Sequence, residues 1–158
     1  MPIVVVVHMP TGYTAAFANR LDEDCALRVV EASDGLALGP GLAVIARAGS
    51  HLHIGASEDG LRCRLDLRPI DTTHRPSVDV LFRSLAPLGS EVVAVVLTGM
   101  GDDGAAGARE LREAGGTVLA ESESSCVVYG MPRVVKEAGL VHAEAPIEAM
   151  ADLIAKQL

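Results

Sequence analysis

The chain has 158 residues and a mass of 16.4 kDa, the size of one domain able to bury its own core. With 49% hydrophobic residues, no Trp, two Tyr and two Phe, that core has to be built from Val, Leu and Ala. Thirteen Lys plus Arg against 21 Asp plus Glu give a net charge of −8 with no basic stripe, which argues against a grip on nucleic-acid phosphates.

The first element is Ile3-Val4-Val5-Val6-Val7, a β-branched run without polar alternation, which predicts a strand covered on both faces. It is too short for a membrane span, which needs about 18 residues, and it lacks the basic flank of a signal peptide. A small-residue helix is predicted over Ala15 to Leu21. Short strands follow at Leu27 to Val30 and at Ala43 to Ala46. His51 to Ile54 and Leu61 to Leu65 alternate around the turn-rich Gly55 to Gly60, which predicts an antiparallel hairpin with one wet face. Ser77 reads as the N-cap of a helix over Val78 to Leu85.

Beyond it, Val92 to Leu97 predicts a buried strand, Gly99 to Gly104 a glycine turn, and Ala105 to Ala114 a helix stopped by Gly115-Gly116. A strand at Thr117 to Ala120, a helix near Arg133 to Ala138 opened by Met131-Pro132, and an amphipathic helix over Ile147 to Leu158 complete the chain. The predicted architecture is α/β: a doubly wound, mostly parallel sheet with helices on both faces, interrupted by one antiparallel hairpin. Three cysteines (Cys25, Cys63, Cys126) without CxxC spacing predict buried thiols in a reducing compartment, with no disulfide framework. A cytoplasmic domain with no membrane insertion is the expectation.

In open parallel sheets, ligands gather beyond the carboxyl ends of strands. His8 follows the first strand directly, and Asp103 lies in the glycine turn after Val92 to Leu97. A histidine oriented by a carboxylate is the base half of a hydrolytic triad, although both residue types are also common after strands for turn reasons alone. The turn Gly99-Met100-Gly101-Asp102-Asp103-Gly104 also fits the dinucleotide pattern G-x-G-x-x-G, with Glu121 placed as a ribose-binding acid. Asp102 and Asp103 weigh against it, because they put negative charge where a pyrophosphate would sit.

His51 and His53 share a strand face and, with Cys63, would be a zinc set; a solvated hairpin face is the simpler reading. His74 and His142 have weak individual claims. Ser57, in Gly55-Ala56-Ser57-Glu58-Asp59-Gly60, lies in a hairpin and lacks the strand-to-helix elbow of a serine nucleophile. Ser77 reads as a cap, and Ser122, Ser124 and Ser125 have no glycine following closely.

Four motifs appear in order: His8-Met9-Pro10, His74-Arg75-Pro76-Ser77-Val78-Asp79-Val80-Leu81-Phe82, Leu97-Thr98-Gly99-Met100-Gly101-Asp102-Asp103-Gly104, and Ser125-Cys126-Val127-Val128-Tyr129-Gly130-Met131-Pro132. Together they resemble the catalytic domain of the CheB-type protein-glutamate methylesterases of bacterial chemotaxis. The resemblance implies hydrolysis of glutamate methyl esters on chemoreceptors, with glutamine deamidation in some members, by a Ser-His-Asp mechanism. It maps the base to His8, the acid to Asp103, and a backbone amide near the oxyanion to Met100. No cofactor or metal is implied, and the implied partners are methylated chemoreceptor cytoplasmic helices.

The family's serine lies in a Gly-x-Ser-x-Gly-Gly turn after its first strand, and no residue here matches it. The expectation is a single methylesterase-like domain over 1–158, without a receiver domain. It would lack the family's first strand and helix, on the order of 30 residues. Such a chain by itself would not hydrolyse esters. Its alternatives are an inactive receptor- or protein-binding module and a nucleotide-binding domain. The strand Ile3 to Val7 would then expose an edge that a homo-oligomer covers.

Overall fold

Short runs rich in β-branched residues and alanine in the first half of the chain pair in parallel. β1 (Ile3–Val5) lies along β3 (Leu42–Ile45) in the register Ile3↔Ala43, and β2 (Arg28–Glu31) lies along its other side with Arg28↔Leu42. The order β1-β3-β2 puts β3 at the centre, and Val44 and Ile45 are accordingly buried. The computed structural model describes all residues, Met1–Leu158, and the chain divides into two compact units, Met1–Ser84 and Leu85–Leu158.

In the first unit, α1 (Thr14–Asp24) covers this sheet. Ala18 is fully buried against Val29, Ala43 and Ile45, while Phe17 and Leu21 close the edges of the cluster with Val5. A methyl at the point of closest approach lets the helix lie close to the strands; this is how a chain poor in aromatics still fills its core. The predicted hairpin forms between β4 (His51–Ser57) and β5 (Gly60–Asp66), antiparallel from His51↔Asp66 to Ser57↔Gly60. Ser77 caps α2 (Val78–Leu85), its Oγ accepting the Val80 N–H at 3.4 Å. Val78, Leu81 and Phe82 of that helix are buried.

In the second unit a 3₁₀ segment (Ala86–Glu91) leads into β6 (Val93–Val96). The sheet order is β6-β7-β8, with β7 (Thr117–Glu121) parallel to both β6 and β8 (Ala143–Ala145). β7 is in contact with α3 (Ala105–Glu113), α4 (Met131–Glu137) and α5 (Ile147–Ala155). Leu119 meets Met150, Leu153 and Ile154 of α5 on one face; by strand alternation Val118 and Ala120 point to the other. Val118, Leu119 and Ala120 are fully buried, which explains the unbroken apolar run.

The predicted stop after α3 has a definite geometry. The Gly115 N–H bonds the Arg112 carbonyl and the Gly116 N–H bonds the Leu111 carbonyl, each at 2.9 Å, with Gly115 at φ +96°. That is a Schellman closure, and only glycine takes the left-handed conformation it needs without strain.

Several elements differ from the sequence reading, among them α5, which ends at Ala155 and not at Leu158. β1 ends at Val5, since the chain turns so that the Met9 N–H reaches the Val7 carbonyl at 3.0 Å. β1 is also an edge strand with Ile3 39% exposed, so it is not sandwiched throughout. β8 and the 3₁₀ segment were not predicted, because Ala143-Glu144-Ala145 has no strand propensity of its own and pairs only because β7 offers it an open edge. The fold is α/β and mostly parallel, with five α-helices and one antiparallel hairpin.

The Leu111 side chain is fully buried and packs against Gly116 of the Schellman closure, whose N–H bonds the Leu111 backbone carbonyl. Leu111→Ala should lower stability by about 2–5 kcal/mol, read as an earlier urea midpoint. A loss below about 1 kcal/mol would mean the site collapses around the deletion and that this contact is not the anchor of α3.

Candidate active site

The two residues expected to act as base and acid stand beyond the carboxyl ends of parallel strands, one in each unit. His8 lies three residues past the end of β1, in the first unit. Asp103, half-buried, lies between β6 and the start of α3, in the second.

In the first unit, loops at the strand ends are tied together by buried polar side chains. Thr14, 1% exposed, donates its hydroxyl to Glu31 Oε1 at 2.6 Å and accepts the Ala48 N–H at 3.2 Å. It thereby joins the start of α1 to the ends of β2 and β3. The His8 side chain stacks on His74, with ring centroids 3.9 Å apart and planes 14° from parallel. His74 belongs to the loop between β5 and α2, and Gly49 holds that loop through an N–H bond to the Arg75 carbonyl at 3.0 Å.

His51 grips the same loop from beneath. It is fully buried and accepts the Ser77 N–H at Nδ1, 3.3 Å away. Its proton therefore resides on Nε2, which donates to the Pro69 carbonyl at 3.0 Å, with Thr72 Oγ1 at 3.2 Å.

In the second unit the glycine turn is stitched to the loop ahead of α4. The Gly99 N–H bonds the Val128 carbonyl at 3.0 Å, and the Gly130 and Met131 N–H groups return to the Gly99 carbonyl at 3.1 and 2.8 Å. Thr98 Oγ1 adds a bond from the Val128 N–H at 2.9 Å. The contact is so close that a Cβ on Gly130 would lie 2.6 Å from the Gly99 carbonyl oxygen, so backbone meets backbone here.

Glu121, 2% exposed at the end of β7, anchors this seam. Its Oε2 accepts the Thr98 N–H and its Oε1 the Ser125 hydroxyl, both at 2.8 Å, while Ser125 Oγ accepts the Ile147 N–H at 3.0 Å. The side chain of Met100 is 81% exposed on the turn and that of Val127 90% exposed on the loop stitched to it.

The other residues considered from the sequence find structural employment. Both carboxylate oxygens of Glu121 are committed within the protein, so the glycine turn lacks the acid a ribose would need. His51 and His53 share one face of β4, but Cys63 pairs with Ile54 and lies on the opposite face, so the three cannot meet on zinc. No group of three or more His, Cys, Asp or Glu is placed to hold a metal.

The His53 pKa is lowered, first by burial and then by the Arg64 charge. Burial pushes the Cys63 thiol up to about 11, so it is an inert core group. Ser57 Oγ donates to the Gly60 carbonyl at 2.7 Å and closes the hairpin turn, and His142 Nδ1 accepts the Val118 N–H at 3.0 Å. What sequence reasoning missed is the partner of His8. His74 was weighed as an isolated histidine, and the one signal for it was its place in the His-Arg-Pro-Ser motif.

Glu121→Ala leaves the part-buried Thr98 N–H and Ser125 hydroxyl without their acceptor. A stability loss of roughly 1–3 kcal/mol should follow in urea unfolding. Amide exchange should accelerate at Thr98 and Val128 before it does in the centre of β7. Uniform acceleration across the unit would show that the carboxylate supports the whole sheet and not the seam.

Comparison with known proteins bears on this geometry. Residues 1–154 match the CheB methylesterase family. A Myxococcus xanthus protein-glutamate methylesterase/protein-glutamine glutaminase 5 is 59% identical over 99% of this chain and 45% of its own length. A Geobacillus kaustophilus protein-glutamate methylesterase/protein-glutamine glutaminase is 46% identical over 97% of the chain and 44% of its own. The chain thus spans a little under half the length of these curated relatives. The crystal structure of the Thermotoga maritima CheB methylesterase catalytic domain superposes with a TM-score of 0.95 at 39% identity, covering 99% of this chain and 84% of that one. With a family match over nearly all its length and a fold to correspond, this chain belongs to the CheB methylesterase family.

Proposed function

We propose that residues 1–158 act as one catalytic domain and supply the base and acid of an esterase for glutamate methyl esters on proteins. Water replaces methoxide at the glutamyl carbonyl, giving the carboxylate and methanol; on glutamine the same attack releases ammonia. His8 takes the proton from the attacking hydroxyl and returns it to the departing methoxide or amine. Asp103 holds the imidazole in one tautomer and stabilises the imidazolium that forms. The Met100 backbone N–H donates to the oxygen that becomes negative in the tetrahedral intermediate.

The observation that carries this reading is the family match over residues 1–154, which includes both His8 and Asp103, each beyond the carboxyl end of a parallel strand. No residue of the chain matches the family's Gly-x-Ser-x-Gly-Gly turn, so the reading has the nucleophile supplied from outside these residues.

On this reading the substrates are the cytoplasmic helices of methylated chemoreceptors, and the protein works in the cytoplasm. That setting agrees with the absence of any helix long and apolar enough to cross a membrane. A homo-oligomer is the state in which the one-sided edge of β1 would be covered.

The test is methanol release from methylated receptor membranes by this chain joined to the serine-turn segment of a family member. Release is expected, with a fall of about 10⁴-fold in Asp103→Asn and a comparable loss in His8→Ala. A folded fusion that releases no methanol, or whose release survives His8→Ala, would overturn the assignment.

A further inference from the structure

We infer that His74 is a positioning residue for the His8 base, and that the buried His51 is the clamp that seats it. The inference rests on the methylesterase reading for the role of His8; the seat itself stands on the geometry of the first unit.

His8 projects from an irregular loop, exposed on one side and with its ring lying on that of His74. A general base needs one orientation, and a catalytic group misplaced by about 1 Å can cost 10²-fold. A carboxylate bonded to one ring nitrogen fixes a direction in the ring plane but leaves the ring free to turn about that bond. A second ring lying flat on the first removes this remaining rotation and keeps water off one face.

The His8–His74 pair is nearly face to face at 3.9 Å. The stack persists only while the loops that carry the two rings keep their places. The loop carrying His74 is held at three points. His51 Nε2 donates to the Pro69 carbonyl and His51 Nδ1 accepts the Ser77 N–H, while Gly49 bonds the Arg75 carbonyl.

A single buried ring thus fixes the chain five residues before His74 and three residues after it. His51 is fully buried, with a hydrogen bond at each ring nitrogen. It has no face open to substrate, and a clamp is the role that its bonding describes.

The experiment is NMR of the histidine-labelled 158-residue chain. In the native protein the His8 ring protons should be displaced upfield by the current of the neighbouring ring. His74→Phe should keep that displacement and His74→Ala should abolish it. His51→Asn keeps an acceptor for the Ser77 N–H but cannot reach Pro69, and should weaken the displacement while the protein stays folded; His51→Leu should remove it.

In the serine-supplied fusion, His74→Ala should lower kcat about 10- to 100-fold with KM unchanged, and His74→Phe should restore most of the loss. His8 resonances that ignore His74→Ala would overturn the inference. So would a Phe variant that keeps the displacement yet is as slow as the Ala variant. If the unsubstituted fusion releases no methanol, the methylesterase reading fails, while the resonances of His8 still decide the seat on their own.

Discussion

A parallel sheet delivers every strand to a loop at the same end, and the peptide groups leaving the ladder there must find partners other than neighbouring strands. Four polar residues of the chain are buried, Thr14, His51, Ser77 and Glu121, and of these Thr14 and Glu121 serve the ends of parallel strands. Each bonds a backbone group in a loop or at a helix start: Thr14 takes the Ala48 N–H, His51 the Ser77 N–H, Ser77 the Val80 N–H, and Glu121 the Thr98 N–H. Of the candidate catalytic residues, Asp103 stands on the loop that Glu121 holds, and His8 stacks on the loop that His51 holds. Their positions follow from how those backbone groups are satisfied.

Apolar burial and polar satisfaction divide the work. The core clusters of alanine, valine and leucine set which faces of the sheets meet which helices, as Ala18 does on β3 and Met150 on β7. Such contacts are not directional, and by themselves would leave the loops free to drift. The hydrogen bonds are each worth little net, but an unpaired buried donor or acceptor costs about 1–3 kcal/mol, and this asymmetry gives a loop one geometry. The seam from Gly99 to Gly130 shows the effect, because its approach distance leaves no room for a side chain on either backbone.

That seam also explains why the glycine turn misleads as a motif. The spacing Gly99, Gly101, Gly104 matches a phosphate-binding pattern, but the structural demand at Gly99 is contact with Met131 and the loop ahead of it, and Glu121 spends both oxygens on the protein itself. The hairpin, the cap at Ser77 and the stop at Gly115-Gly116 were legible because each is set by residues within a few positions of one another. β8 was not, since Ala143-Glu144-Ala145 becomes a strand only beside β7. His74 was undervalued for a related reason. Nothing within the span from His8 to His74 says that a loop 66 residues later lays one ring on the other.

The amino-acid order alone determined the alternation of strands and helices, the hairpin, the alanine-rich core and, through four motifs in register, the family and the candidate pair His8 and Asp103. These depend on local periodicity and on residue types that read the same in any context. Tertiary structure alone decided that Glu121 is a loop anchor, that Cys63 lies across the sheet from His51 and His53, and that His51 holds the loop whose His74 rests on His8. Those roles depend on which distant backbone groups arrive within hydrogen-bonding reach, and that is settled only when the sheets and their covering helices have packed.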